Sequence, residues 1–176
     1  ASILFILLIM LFLLKDALPL FKTTSLESFL TGRDWYPTAD PPQFGVLPLL
    51  FGSFIVTVGA IVLAVPIGIA AAVYIAELAP AEVREWLKVT VELIAAIPSV
   101  VIGFIGLVVL APWIKDILGL PTGLTALTGA LMLAWMAMPT IVSIAEDAIR
   151  SVPRDYREGS LALGATHLQT VKNVIL

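Results

Sequence analysis

Residues 150–176 read RSVPRDYREGSLALGATHLQTVKNVIL, and they differ in kind from what precedes them. Upstream, long apolar runs dominate. Here charged, small and apolar residues mix at helical spacing. Pro153 suits the opening of a helix, where a missing N–H has no intrahelical partner to lose. Asp155 and Glu158 place negative charge in the first turn, toward the positive end of the helix dipole. Gly164 can take the left-handed conformation that ends a helix. Thr166 with Gln169 spells a capping box, which starts another. A helix, a tight turn and a second helix, lying outside the membrane, are expected.

Composition sets the frame around that stretch. Hydrophobic residues make up 60% of the chain and charged residues 13%, with a mean hydropathy of +1.05. Soluble domains run nearer about 45–50% apolar and about 25% charged. The chain is therefore an integral membrane protein, and the bilayer is its solvent. With no cysteine and one histidine, His167, thiolate chemistry and a His or Cys metal cluster are excluded. A net charge of −3 gives no argument for a nucleic-acid partner, and none is expected. No Gly-rich phosphate loop occurs, so any ATP that drives this protein is bound by a partner chain. No cofactor of its own and no catalytic activity of its own are expected.

Four apolar segments emerge. A spanning helix needs about 20 apolar residues. Residues 1–14 are apolar but shorter than that, and read as the end of a first transmembrane helix that begins upstream. No basic lead or small-residue cleavage site accompanies them, which disfavours a signal peptide. Residues 15–45 form a polar extracytoplasmic connection. Within it LESFL suits a short interfacial helix, and Trp35-Tyr36 suit the membrane–water boundary. Residues 46–176 are the core. Its first span, residues 46–76, carries small residues at every fourth position: Ala60, Ala64, Gly68, Ala72 and Ala76. Such a ladder lets helix backbones approach closely in lipid, and Pro66 should kink the helix. Residues 77–88 are a charged excursion in which Glu77, Glu82 and Glu85 face Arg84 and Lys88 at local pairing distances. Glu92 follows, as an interfacial anchor or a group lining a pore. The next span, residues 93–113, is interrupted at Ile97-Pro98-Ser99 and thinned by Gly103 and Gly106. The last, residues 122–145, contains Pro139.

Two motifs carry a resemblance. Glu158, Gly159 and Ser160, then Gly164, then Val174 and Leu176 follow the spacing E-A-A, three residues, G, nine residues, I-x-L-P. This resembles the cytoplasmic coupling loop of ABC-importer permeases, with small residues in place of the alanines and valine in place of isoleucine. ELIAAIPSVVIGF and AEDAIRSVP are similar to segments of phosphate-specific transport permeases of the C-type. The resemblance implies an all-α, polytopic bundle of kinked transmembrane helices, the binding-protein-dependent importer permease fold. It implies that the family pattern continues with proline and further spans beyond Leu176. It also implies an ATPase dimer below, a second permease subunit beside it, favouring a heterodimer, and an extracytoplasmic solute-binding protein.

Lysine and arginine bias gives the orientation. Arg84, Lys88, Arg150, Arg154, Arg157 and Lys172 fall on one side, against Lys15, Lys22, Arg33 and Lys115 on the other. Basic loops stay in the cytoplasm, which puts residues 150–176 where an ATPase can reach them. The coupling candidates are Glu158, Gly159, Ser160, Gly164 and Leu176. Candidates for a translocation path are Ser99, Thr140 and Ser143 beside prolines, with Glu92 and Arg150. The hydroxyls could donate to an oxyanion or simply satisfy backbone. Phosphate rests on the resemblance; molybdate and sulfate remain alternatives. A secondary transporter or channel is the rival class, but it predicts charged pairs within the membrane, and the central thirds of the three complete spans carry none. A structural membrane subunit is a third reading, and would have no use for the coupling pattern.

Overall fold

The structure, a computed structural model, describes residues 2–175. Its order is α1 (Ser2–Ala17), α2 (Leu20–Thr23), α3 (Leu26–Thr31), β1 (Trp35–Tyr36), β2 (Gln43–Phe44), α4 (Leu47–Val73), α5 (Ala81–Ala95), α6 (Ser99–Ile105), α7 (Ala111–Leu118), α8 (Ala126–Ser151), α9 (Arg154–Ala162) and α10 (His167–Thr170). Wider π-type turns extend three of these, at Tyr74–Leu78, Gly106–Leu110 and Val171–Ile175. Four helical runs are long and apolar enough to cross a membrane: Ile3–Thr23, Leu47–Leu78, Ser99–Leu118 and Ala126–Ser151. The chain divides into two compact units, Ala1–Phe54 and Ile55–Leu176, with α4 running through the division.

In the first unit, the helical run passes Leu14 and continues to Thr23, 21 residues in all. Lys15 and Asp16 ride on it without stopping it. The side chains from Ile3 to Leu14 are at least half exposed, a surface that lipid tails solvate and water would not. LESFL folds as α3, capped by Ser25, whose side chain accepts from the Ser28 amide at 3.1 Å. Trp35-Tyr36 do not merely sit at a boundary. They pair antiparallel with Gln43-Phe44, and Trp35 meets Phe44 edge to face. The connection closes where Gly32 and Gly45 touch backbone to backbone; a Cβ at Gly32 would lie 2.7 Å from the Gly45 Cα.

The second unit is built on the small-residue ladder. Ala60, Ala64, Gly68, Ala72 and Ala76 are all buried, and they face α8. A Cβ at Gly59 would fall 2.9 Å from the Ala130 methyl, and one at Gly68 only 2.7 Å from Ile141 Cγ2. Two apolar clusters form along this contact: Ala60 and Ala64 with Ala134, then Ala72, Ile75 and Ala76 with Val142 and Ile149. Dispersion and close fit hold such a pair together, since lipid removes most of the hydrophobic drive. Pro66 and Pro139 both lie inside helices that continue through them. Each leaves one backbone hydrogen bond unmade.

Several boundaries differ from those expected. The third span starts at Ser99, because Ala96-Ile97-Pro98 breaks the helix and residues 93–95 finish the amphipathic α5. Of the two glycines there, Gly106 is packed against Met132, whereas Gly103 faces open space. Lys115 and Asp116 belong to α7, which ends at Gly119 with φ +60°. The last span starts at Ala126 behind Thr125, whose hydroxyl accepts from the Thr128 amide. It runs on to Ser151, so Glu146, Asp147 and Arg150 are helical residues at its end.

Candidate functional site

The foot of the second unit is α9, a turn, and α10. Gly164 turns the chain with φ +87° and open space around it. Thr166 and Gln169 form the capping box, each side chain bonded to the other's amide. Ser160 Oγ lies 3.0 Å from Thr170 Oγ1, which pins the two helices together across the turn. Glu158 and Gly159 are exposed, and nothing lies within 4 Å of a Cβ built on Gly159. Leu163 is 91% exposed at the tip. One detail is corrected. Pro153 is extended (ψ 143°) and caps the helix from outside, so α9 begins at Arg154. Asp155 stays in the first turn, but Glu158 falls beyond it and gains little from the dipole, which acts within the first turn. Leu176, the last residue of the coupling pattern, lies outside the described residues.

Above the foot sits a joint made of charges. The local pairs expected within residues 77–88 are not among the ion pairs of the described residues. Glu77 instead reaches Arg157 on α9, with Oε1 2.6 Å from Nη1. Arg157 Nη2 also donates to the Ile149 carbonyl at 2.8 Å. Glu146 receives Lys88 Nζ at 3.2 Å and Arg150 Nε at 2.8 Å on one oxygen. The two carboxylate side chains are each only 5% exposed. A buried carboxylate requires a paired cation; Glu77 finds its cation on α9, and Glu146 takes one from α5 and one four residues on along α8. Arg84 is taken up otherwise. Its Nε donates to the Ile75 carbonyl and its Nη2 to the Ala79 carbonyl, both freed where the chain leaves the helical run ending at Leu78. The joint thus ties α9 to the ends of two membrane-crossing runs.

The path candidates are not gathered in one place. Ser99 lines a cavity of about 230 Å³ with Trp135 and Pro139. Glu92 and Ser143 share a smaller one, about 170 Å³, with Lys88, Glu146 and Asp147. Arg150 lines a third, about 300 Å³, among other arginines. Thr140 is exposed on α8 and lines none of these three. The residues that sequence reasoning passed over are Glu77, Glu146 and Arg157 as partners. Their signal was available: Glu77 and Glu146 are the first charges after two apolar runs.

Membrane-crossing helices that carry a jointed, exposed helical foot place the chain among polytopic α-helical membrane proteins. The chain belongs to the binding-protein-dependent transport system inner membrane component family, whose model matches residues 64–176. It is 47% identical over 148 residues to the probable ABC transporter permease protein YqgH of Bacillus subtilis, covering 84% of this chain and 48% of that protein. It is 34% identical over 168 residues to the phosphate transport system permease protein PstC of Mesorhizobium japonicum, covering 85% and 51%. The chain thus spans about half the length of the curated relatives it matches. Among solved structures, an inward-facing form of the MetNI methionine ABC transporter matches with a TM-score of 0.55 at 26% identity. The match covers 75% of this chain and 59% of that one.

Proposed function

We propose that this chain is the membrane-spanning permease part of an ATP-driven importer of inorganic phosphate, and that its foot receives the force. The observation that carries the reading is the foot itself: an exposed helix–turn–helix tied to the ends of two spans through Arg157, by an ion pair to Glu77 and a hydrogen bond to the Ile149 carbonyl. A partner pushing on Glu158, Gly159, Ser160 and Gly164 would displace α9. The Glu77–Arg157 pair would carry that displacement into the helical run ending at Leu78. The packed faces of α4 and α8 would then shift against each other as discrete arrangements, closing a route on one side and opening it on the other.

The partners follow from the same reading. An ATPase dimer binds the nucleotide and docks on the foot from the cytoplasm. A second permease subunit completes the route, and a solute-binding protein delivers from outside. Ser99, Ser143 and Thr140 offer hydroxyl donors to an oxyanion, with Glu92 and Arg150 nearer the mouth. Phosphate as cargo is supported by the named function of the PstC relatives. The test is uptake by vesicles containing the complete complex with its binding protein. ATP-dependent phosphate uptake is expected, with the ATPase copurifying. Uptake of molybdate but not phosphate would overturn the cargo, and a complex with no ATPase would overturn the class.

A further inference from the structure

We propose that the cavity between α5, α8 and α9 binds a phosphate-type anion, either free inorganic phosphate or the phosphate of an anionic lipid headgroup. Its volume is about 300 Å³ and its lining is Arg84, Arg150, Arg154 and Arg157 with Ala76 and Val152. A water's share of liquid volume is about 30 Å³, so a tetrahedral anion fits with water to spare. Four arginines from three helices line this one cavity. Two are offset by carboxylates, Arg150 by Glu146 and Arg157 by Glu77. Arg84 is held by two carbonyls, which leave its charge uncompensated and some of its five donors free. Arg154 has no ion pair among the described residues. The cavity therefore keeps net positive charge and unused donors. One of these, Arg157 Nε, is shielded from solvent and has no hydrogen-bond partner.

Guanidinium forks match phosphate oxygens two at a time and are the usual recognisers of that group. An anion here would bridge Arg154 and Arg157 of α9 to Arg150 of α8 and Arg84 of α5. It would stiffen the joint between foot and spans. The inference concerns this cavity alone and holds whichever solute the transporter carries.

The complete complex would be compared with its Arg154→Gln, Arg154→Lys and Arg33→Gln variants, the last a control in the other compact unit. Two quantities are measured: binding of radiolabelled inorganic phosphate in neutral detergent, and melting temperature in nanodiscs of phosphatidylcholine with or without phosphatidylglycerol. Arg154→Gln should weaken phosphate binding about tenfold, the equivalent of roughly one charge-assisted contact, with partial rescue by lysine. That result identifies free anion. If Arg154→Gln instead abolishes only the phosphatidylglycerol-dependent rise in melting temperature, the occupant is a headgroup. If it matches Arg33→Gln in both measurements, the proposal is wrong. It is equally wrong if the only loss is ATPase copurification, since the arginines then serve a protein contact. Phosphate uptake is scored separately, so a complex that carries another solute can still pass this test.

Discussion

Gly164 is where a single residue matters most. Its φ of +87° is a conformation that costs an L side chain roughly 1–2 kcal/mol, and Leu at this position would move the strain into the turn between α9 and α10. Open space around the residue means the penalty is one of backbone and not of clash. Gly164→Leu should therefore leave the bundle assembled while deforming the foot. The expected outcome is ATP hydrolysis that continues while uptake per ATP falls. Unchanged uptake per ATP in that variant would remove the lever from the mechanism. This position was legible in the sequence because glycine before a capping box has a local cause. The setting of Glu158 was misread: counted from either Pro153 or Arg154, it lies beyond the first turn of α9, where only Asp155 is acidic.

Between elements, the contact of α4 with α8 governs. Gly68 lies against Ile141 so closely that an added methyl would need the isoleucine to move, with 2.7 Å to Cγ2 and 3.2 Å to Cβ. Overpacking of this kind costs about 1–3 kcal/mol. Gly68→Val should lower the melting temperature of the assembled complex, whereas Gly103→Val, which faces open space, should change it far less. Equal losses in the two variants would mean that the ladder is not a packing face. The ladder could be found from sequence because a repeat of four places all its members on one helix face. The breaks were harder. A run of apolar residues continues from α5 across Ala96-Ile97-Pro98 into α6, and hydropathy alone does not separate the end of an amphipathic helix from the start of a span.

For the molecule as a whole, the proposed transport function makes the joint between foot and spans the place where force would be transmitted. Glu77→Gln removes the counter-charge of Arg157 and should cost about 1–2 kcal/mol. That is below the value for a fully buried pair because Arg157 is 25% exposed and reaches water. The larger effect should be on coupling: ATPase activity less dependent on solute, with Arg157→Gln giving the same phenotype and the double variant little worse. A simple sum of the two single effects would show that the pair does not act as a unit. The amino-acid sequence by itself determined the membrane-crossing runs, the small-residue face, and the helix–turn–helix with its caps. Each of these depends on residues within a few turns of one another. Only the tertiary structure decided that Glu77 pairs with Arg157, that Glu146 takes Lys88 besides its helix neighbour Arg150, and that four arginines share one cavity. A buried charge takes whichever partner reaches it at depth, and that depends on which helix ends meet in space.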